Sequence, residues 1–127
     1  MSTLYSQKLL DHFRNPRNYG ALNHPDFSYE GFNPLCGDRI RIEVRIENKS
    51  VKDIRFRGDG CAISIAAASL LTEMILNTDP NKISDDQLIA ALESDIKPAR
   101  IQCALLPLEA LRAGLKAHLS SFGGPPG

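Results

Sequence analysis

Residues 38–76 read DRIRIEVRIENKSVKDIRFRGDGCAISIAAASLLTEMIL. From 38 to 47, Ile40, Ile42, Val44 and Ile46 alternate strictly with Arg39, Arg41, Glu43, Arg45 and Glu47. That is the period of a half-buried strand with one solvated face, as antiparallel sheets have. Asn48-Lys49-Ser50 is a turn, and 51–57 continues as a second strand with Ile54 and Phe56 inward, so the two make a hairpin. Gly58-Asp59-Gly60 reads as a further turn, with Asp59 a turn former rather than an acid catalyst. From 62 to 76 the chain is apolar almost all round, which predicts a helix buried in the middle of the fold.

Outward from this stretch, residues 4–13 carry a helical stripe of Leu4, Tyr5, Leu9, Leu10 and Phe13, stopped at Asn15-Pro16 because a residue before proline is pushed out of the helical region. Residues 19–34, with Gly20, Pro25, Gly31 and Pro34, read as a loop containing a short edge strand at 27–29. Asp79-Pro80 breaks the buried helix, and Ser84 is an N-cap followed by Asp85 and Asp86 in the first turn of a short helix to about Glu93. Leu108, Leu111, Leu115 and Leu119 stripe a last helix in which Pro107 is tolerable only near the first turn. Residues 1–119 read as a single domain and 120–127 as a flexible Gly/Pro tail.

A chain of 127 residues can bury one core without staples. Its 15 basic and 15 acidic residues cancel, which argues against nucleic acid or an anionic membrane as partner. No apolar run reaches spanning length, and residues 1–14 are amphipathic and mixed in charge rather than a signal peptide, so a cytoplasmic protein is expected.

Three cysteines, an odd number in such a compartment, point to metal binding, catalysis or plain burial rather than disulfides. Cys36 is followed by Gly37 and Asp38; in an extended stretch the side chains of Cys36 and Asp38 point the same way and can reach one ion. Cys61 opens the buried helix, where unpaired N–H groups favour a thiolate. Cys103 stands in a similar place before the last helix, with Arg100 adding positive potential. Thiolates with a carboxylate suit a tetrahedral site for a soft or borderline metal. The separations match no zinc-finger spacing, so the fold must bring the residues together. The bland alternatives are a small buried hydrophobe for each cysteine and a solvated strand-end carboxylate for Asp38. His12, His24 and His118 read as solvated surface, and Arg39, Arg41 and Arg45 as one solvated strand face.

Five segments together resemble the U-type iron–sulfur cluster assembly proteins, the family of IscU, SufU and the N-terminal domain of NifU. They are Tyr5-Ser6 through Asp11-His12-Phe13, Asn15-Pro16-Arg17-Asn18-Tyr19-Gly20, Asn33-Pro34-Leu35-Cys36-Gly37-Asp38, Gly58-Asp59-Gly60-Cys61-Ala62-Ile63-Ser64 and Pro98-Ala99-Arg100-Ile101-Gln102-Cys103. The resemblance implies an α+β domain, a small, mainly antiparallel sheet packed against several helices (the SufE/NifU-like fold). It implies metal ligands at Cys36, Asp38, Cys61 and Cys103, occupied by a transient [2Fe–2S] cluster, iron or zinc. It also implies a cysteine desulfurase as sulfur donor and apo iron–sulfur proteins as acceptors, in a monomer or weak homo-oligomer. Cys103 is the first candidate for taking the sulfur and Cys36 the second. Three thiolates and a carboxylate total about −4, which a divalent ion reduces to about −2, so Arg100 is the expected counter-charge.

Two features divide the family's subtypes. Gln102 stands where IscU-type scaffolds have a histidine, and Ile96-Lys97-Pro98-Ala99-Arg100 replaces their paired prolines, as in SufU; yet the short stretch from Cys61 to Cys103 is similar to IscU. A cluster scaffold, a zinc-dependent sulfurtransferase and a structural zinc domain are thus the three readings. A scaffold or sulfur acceptor fits better than an enzyme in its own right.

Overall fold

The computed structural model describes residues 5–122. Helix α1 (Gln7–Arg14) leads to strands β1 (Phe27–Asn33), β2 (Asp38–Glu47) and β3 (Ser50–Asp59), followed by helices α2 (Ala62–Ile75), α3 (Asp85–Ala91) and α4 (Ile101–Phe122). Short 3-10 turns at Pro80–Lys82 and Pro98–Arg100 precede α3 and α4. The sheet has the order β1-β2-β3, antiparallel throughout, so the fold is α+β as expected. The hairpin turn between β2 and β3 places both Asn48 and Lys49 at positive φ, the backbone twist that matches two right-twisted strands.

The core lies between the sheet and α2, which is buried on almost every side. Ala66, Ala67 and Ala68 keep that helix thin, while Ile63, Leu70, Leu71 and Ile75 fill the space around it. Phe56, Ile40, Ile42 and Ile54 meet them from the sheet, each such side chain contributing about 1.5–3 kcal/mol by leaving water. Helix α4 lies close on β1 because a glycine faces the contact from each side. A Cβ on Gly114 would stand 2.9 Å from the Phe27 ring, and one on Gly31 3.1 Å from Leu106.

Several local expectations are corrected. The edge strand covers all of Phe27–Asn33, since antiparallel pairing from Phe27↔Val44 to Asn33↔Asp38 overrides the glycine at 31. Gly58 and Asp59 end β3 instead of forming a turn. Glu43, placed by alternation on the solvated face, is only 5% exposed. Burial pushes its carboxyl pKa up, but the Leu22 N–H and the Arg41 and Arg57 guanidiniums outweigh this and hold it below the usual range. Pro107 sits at the seventh residue of α4, not in its first turn, because the helix begins at Ile101. With no N–H, Pro107 cannot tie the carbonyl of Cys103 in the i to i−4 ladder. Phe13 and Leu119, both assigned to apolar stripes, are exposed. Helix α4 also runs past Ser120 to Phe122; the rest of the expected tail, 123–127, and Leu4 lie outside the described residues.

His12 is the other correction, being 4% exposed instead of solvated. Ser69 Oγ accepts from the Arg17 N–H at 2.8 Å and lies 2.7 Å from His12 Nδ1, so its proton is free to be donated to the imidazole. Burial is the main cause of a lowered His12 pKa; Arg17 and Lys8 act in the same direction, Glu73 and Asp11 against it. Below the ordinary value of 6.5 the unfolded chain takes a proton that folded His12 resists. Stability should therefore fall as pH drops through that value, and urea midpoints across the range should show a shallower fall in His12→Gln. An equal slope in both proteins would remove His12 from this account.

Candidate metal centre

Three elements meet at one end of the sheet. The β1–β2 turn, 34–37, is closed by the Asn33↔Asp38 pair and by a 2.7 Å bond from the Gly37 N–H to the Asn33 carbonyl. Gly37 has φ +74°, a conformation that suits glycine. Asn33 is itself buried: its Oδ1 accepts from the Leu35 N–H at 3.1 Å, and its Nδ2 stands 3.9 Å from Cys103 Sγ. This turn leaves Cys36 exposed and puts Asp38 at the start of β2, where it is 1% exposed.

The second element is the start of α2. Cys61 is its N-cap residue in an extended conformation, and its N–H donates to Asp38 Oδ1 at 2.9 Å. Gly60 makes room for this. A Cβ there would collide with Ser64 Oγ and stand 3.0 Å from Asp38 Oδ1. The third element is the first turn of α4, which carries Cys103 at 0% exposure with its Sγ 3.1 Å from that of Cys36.

One ligand atom from each of Cys36, Asp38 and Cys103 lies within 4.8 Å of the other two. In a tetrahedron with metal–sulfur bonds of about 2.3 Å, ligands stand about 3.8 Å apart, so two sulfurs and an oxygen at these separations fit zinc or iron. Cys61 falls outside this group of three, but its Sγ is 3.8 Å from Asp38 Oδ2. The four residues selected from sequence are thus neighbours in space, with Cys61 at the margin. A cavity of about 650 Å³ opens onto three of them, Cys36, Asp38 and Cys61, with Leu35 and Arg100 also in its lining.

Charge is arranged otherwise than expected. Arg100 interacts chiefly with Cys61: the charges of Cys61 and then Cys103, with a hydrogen bond to Cys61, raise its pKa. Cys103 gains no net activation from its helix start or from Arg100. Burial pushes its thiol pKa up, and hydrogen bonding to Cys36 and Asp38 and the negative charge of Cys61 and Asp38 add to this. Metal binding would have to displace that proton. Gln102 is exposed, and its amide is a poor metal ligand. Asn33 and Gly60 stand in the motifs with no role that the sequence reveals. Their neighbours Pro34 and Asp59 marked turns, but nothing in the sequence separates a residue that supports a ligand from an ordinary turn former.

A family model described as NifU-like N terminal domain matches residues 4–122. The chain is 38% identical over 135 residues to the zinc-dependent sulfurtransferase SufU of Bacillus subtilis, covering 91% of each chain. It is 35% identical over 133 residues to the iron–sulfur cluster assembly scaffold protein IscU of Aquifex aeolicus, covering 97% of this chain and 81% of that one. A solved structure of a nitrogen-fixing NifU-like protein (N-terminal) from Brucella abortus superposes with a TM-score of 0.77 at 18% identity, over 89% of this chain and 92% of that one. This last likeness shows the fold. Among the described residues no helix is long and apolar enough to cross a membrane.

Proposed function

Because the chain belongs to the NifU-like N-terminal domain family, we propose that it is an iron–sulfur cluster assembly protein. It accepts sulfur from a cysteine desulfurase, builds or carries a [2Fe–2S] cluster as cargo and passes it to apo-acceptor proteins. The observation that carries this reading is the convergence of Cys36, Asp38, Cys61 and Cys103 from distant parts of the chain, the first three lining one open cavity and Cys103 buried against Cys36. A closed structural zinc site would leave no such opening.

Cys36 is the sulfur acceptor in this reading, in preference to Cys103. Cys36 is exposed beside Leu35, itself 85% exposed, where a partner's persulfide can reach it; Cys103 is sealed beneath. Arg100 offsets part of the negative charge that the ligand set concentrates. The decisive experiment is anaerobic: measure bound zinc and iron, add a cysteine desulfurase, cysteine and ferrous iron, and record the visible spectrum. Absence of both sulfur loading and a cluster spectrum would sink the reading.

The zinc-dependent sulfurtransferase is the second reading, favoured by one observation: the residue before Cys103 is Gln102, an exposed amide and a poor metal ligand, so no imidazole stands there to exchange with the four-residue set. Zinc held by the same residues would keep the thiols as thiolates. Sulfur loading with zinc retained and no cluster on adding iron would select it.

Asp38→Ala distinguishes cargo release from simple loss of the site. An oxygen ligand matches iron–sulfur chemistry less well than thiolate, so its removal should leave a cluster that forms but transfers several-fold more slowly to an apo-acceptor. The same change strands the Cys61 N–H, costing about 1–3 kcal/mol of stability. Transfer at the unmutated rate would count against Asp38 as the labile ligand.

A further inference from the structure

Sulfur arrives on a persulfide at the sulfane level, whereas the bridging sulfurs of a [2Fe–2S] cluster are sulfide. Something must deliver two electrons at the site. From the 3.1 Å contact between an exposed and a buried thiol, we infer that Cys36 and Cys103 are a resolving pair: Cys36 takes the incoming sulfur, and Cys103 displaces it as sulfide by closing a disulfide. The inference rests on the proposed role of Cys36 as sulfur acceptor.

The step balances without a further reactant. Cys103 Sγ brings an electron pair to Cys36 Sγ and forms the new S–S bond. The bond between Cys36 Sγ and the outer sulfur breaks, and its electron pair leaves with that sulfur. The Cys103 thiol proton departs with it, so a Cys36 persulfide and a Cys103 thiol give a Cys36–Cys103 disulfide and hydrogen sulfide. In net terms two cysteine thiols are oxidised and one sulfane sulfur is reduced. A dithiol reductant then reopens the disulfide by exchange for the next round.

The geometry supplies what such a pair needs. The attacking and attacked sulfurs already stand 3.1 Å apart, and a disulfide bond is about 2.05 Å, so a closure of about 1 Å suffices. The mobile partner has room: Cys36 is on the surface turn, and Gly37 beside it has nothing within 4 Å of the position a Cβ would take. The two roles are also separated by access. Cys103 is 0% exposed and cannot meet a bulky donor first, while its Sγ lies directly behind the sulfur that can. Cys61 is poorly placed to compete, since its Sγ faces Asp38 Oδ2 at 3.8 Å and Ser64 Oγ at 3.9 Å.

The full metal-free chain should be treated with sodium polysulfide, then analysed by intact mass and peptide mapping under non-reducing conditions. The native protein is expected to end lighter by two hydrogens, with the Cys36 and Cys103 peptides linked. Cys103→Ser should instead stop one sulfur heavier, with the addition on Cys36 and the disulfide lost. Persistence of that extra sulfur on Cys36 in the native chain, with Cys103 still open to alkylation after unfolding, would overturn the pair. So would a link involving Cys61. Should Cys103→Ser fail to fold, the peptide map of the native chain decides alone. A parallel arm replaces polysulfide by a cysteine desulfurase and cysteine. Disulfide closure with polysulfide but no loading by the desulfurase would leave the pair standing and remove the acceptor reading. Stable loading of Cys36 in both arms would do the reverse.

Discussion

Cys36→Ser and Cys103→Ser should each lower zinc affinity by about a hundredfold or more and abolish the visible cluster spectrum. Four-ligand zinc sites are worth about 10–16 kcal/mol near neutral pH, so one thiolate represents about 3 kcal/mol, and 1.4 kcal/mol is a factor of ten. A serine hydroxyl is not ionised at that pH and is a harder donor, so it replaces neither the charge nor the soft sulfur. The two variants are not equal as proteins. Cys36 is exposed, and its loss should leave the melting temperature nearly unchanged; Cys103 is buried, but Asn33 Nδ2 and the Cys36 thiol are at hand as partners for a hydroxyl. Cys61→Ser should weaken binding less, because its sulfur stands outside the group of three. Competition against a chromophoric chelator gives the three affinities. Undiminished zinc binding in Cys36→Ser or Cys103→Ser would return that residue to an ordinary turn or core position, and equal losses in all three would mean that Cys61 moves in when the metal binds.

Much of this site was legible because its residues announce themselves chemically. Cys36, Asp38, Cys61 and Cys103 are donor types, and the motifs around them are specific in combination. The central hairpin and α2 were equally plain, since a period of two over β2 and an all-apolar helix leave few alternatives. What stayed hidden depends on distant partners. His12 could be seen as inward only by knowing that Ser69, fifty-seven residues away, stands opposite it. Glu43 follows the polar half of an alternating strand and is buried only because Arg41, Arg57 and the Leu22 N–H gather over it. The thiol that Arg100 chiefly faces was hidden for a related reason. Three residues of sequence separate it from Cys103, yet the 3-10 turn at Pro98–Arg100 sets it first against Cys61 and only second against Cys103. Proximity along the chain does not rank proximity in space.

Gly58→Ala should be the most damaging single methyl group that the sheet can be given. Gly58 pairs with Ile40 one step from the end of the β2–β3 ladder, at φ +157°. A Cβ there would overlap the carbonyl oxygen of Arg39 and stand 3.0 Å from Ile40 Cα. Both are backbone atoms, so no side chain can swing away; the strands must part. We expect a loss of about 3 kcal/mol or more, which for a domain of this size is about 10–15 °C in melting temperature. The damage should reach the site as well. The next pair is Arg39↔Asp59, and beyond it the strands hand over to Asp38 on one side and to Gly60 and Cys61 on the other. Parting them pulls against the 2.9 Å bond between the Cys61 N–H and Asp38 Oδ1, so zinc affinity should fall although no ligand has been changed. Gly20→Ala is the matched control. Its φ of +140° carries a similar backbone penalty, but nothing lies within 4 Å of the added carbon, so it should cost only about 1 kcal/mol. Thermal unfolding with and without zinc on both variants separates strain from collision. If Gly58→Ala matched Gly20→Ala in melting temperature and kept its zinc affinity, the strand would be yielding at that point, and the ladder could not be what fixes Asp38 against Cys61.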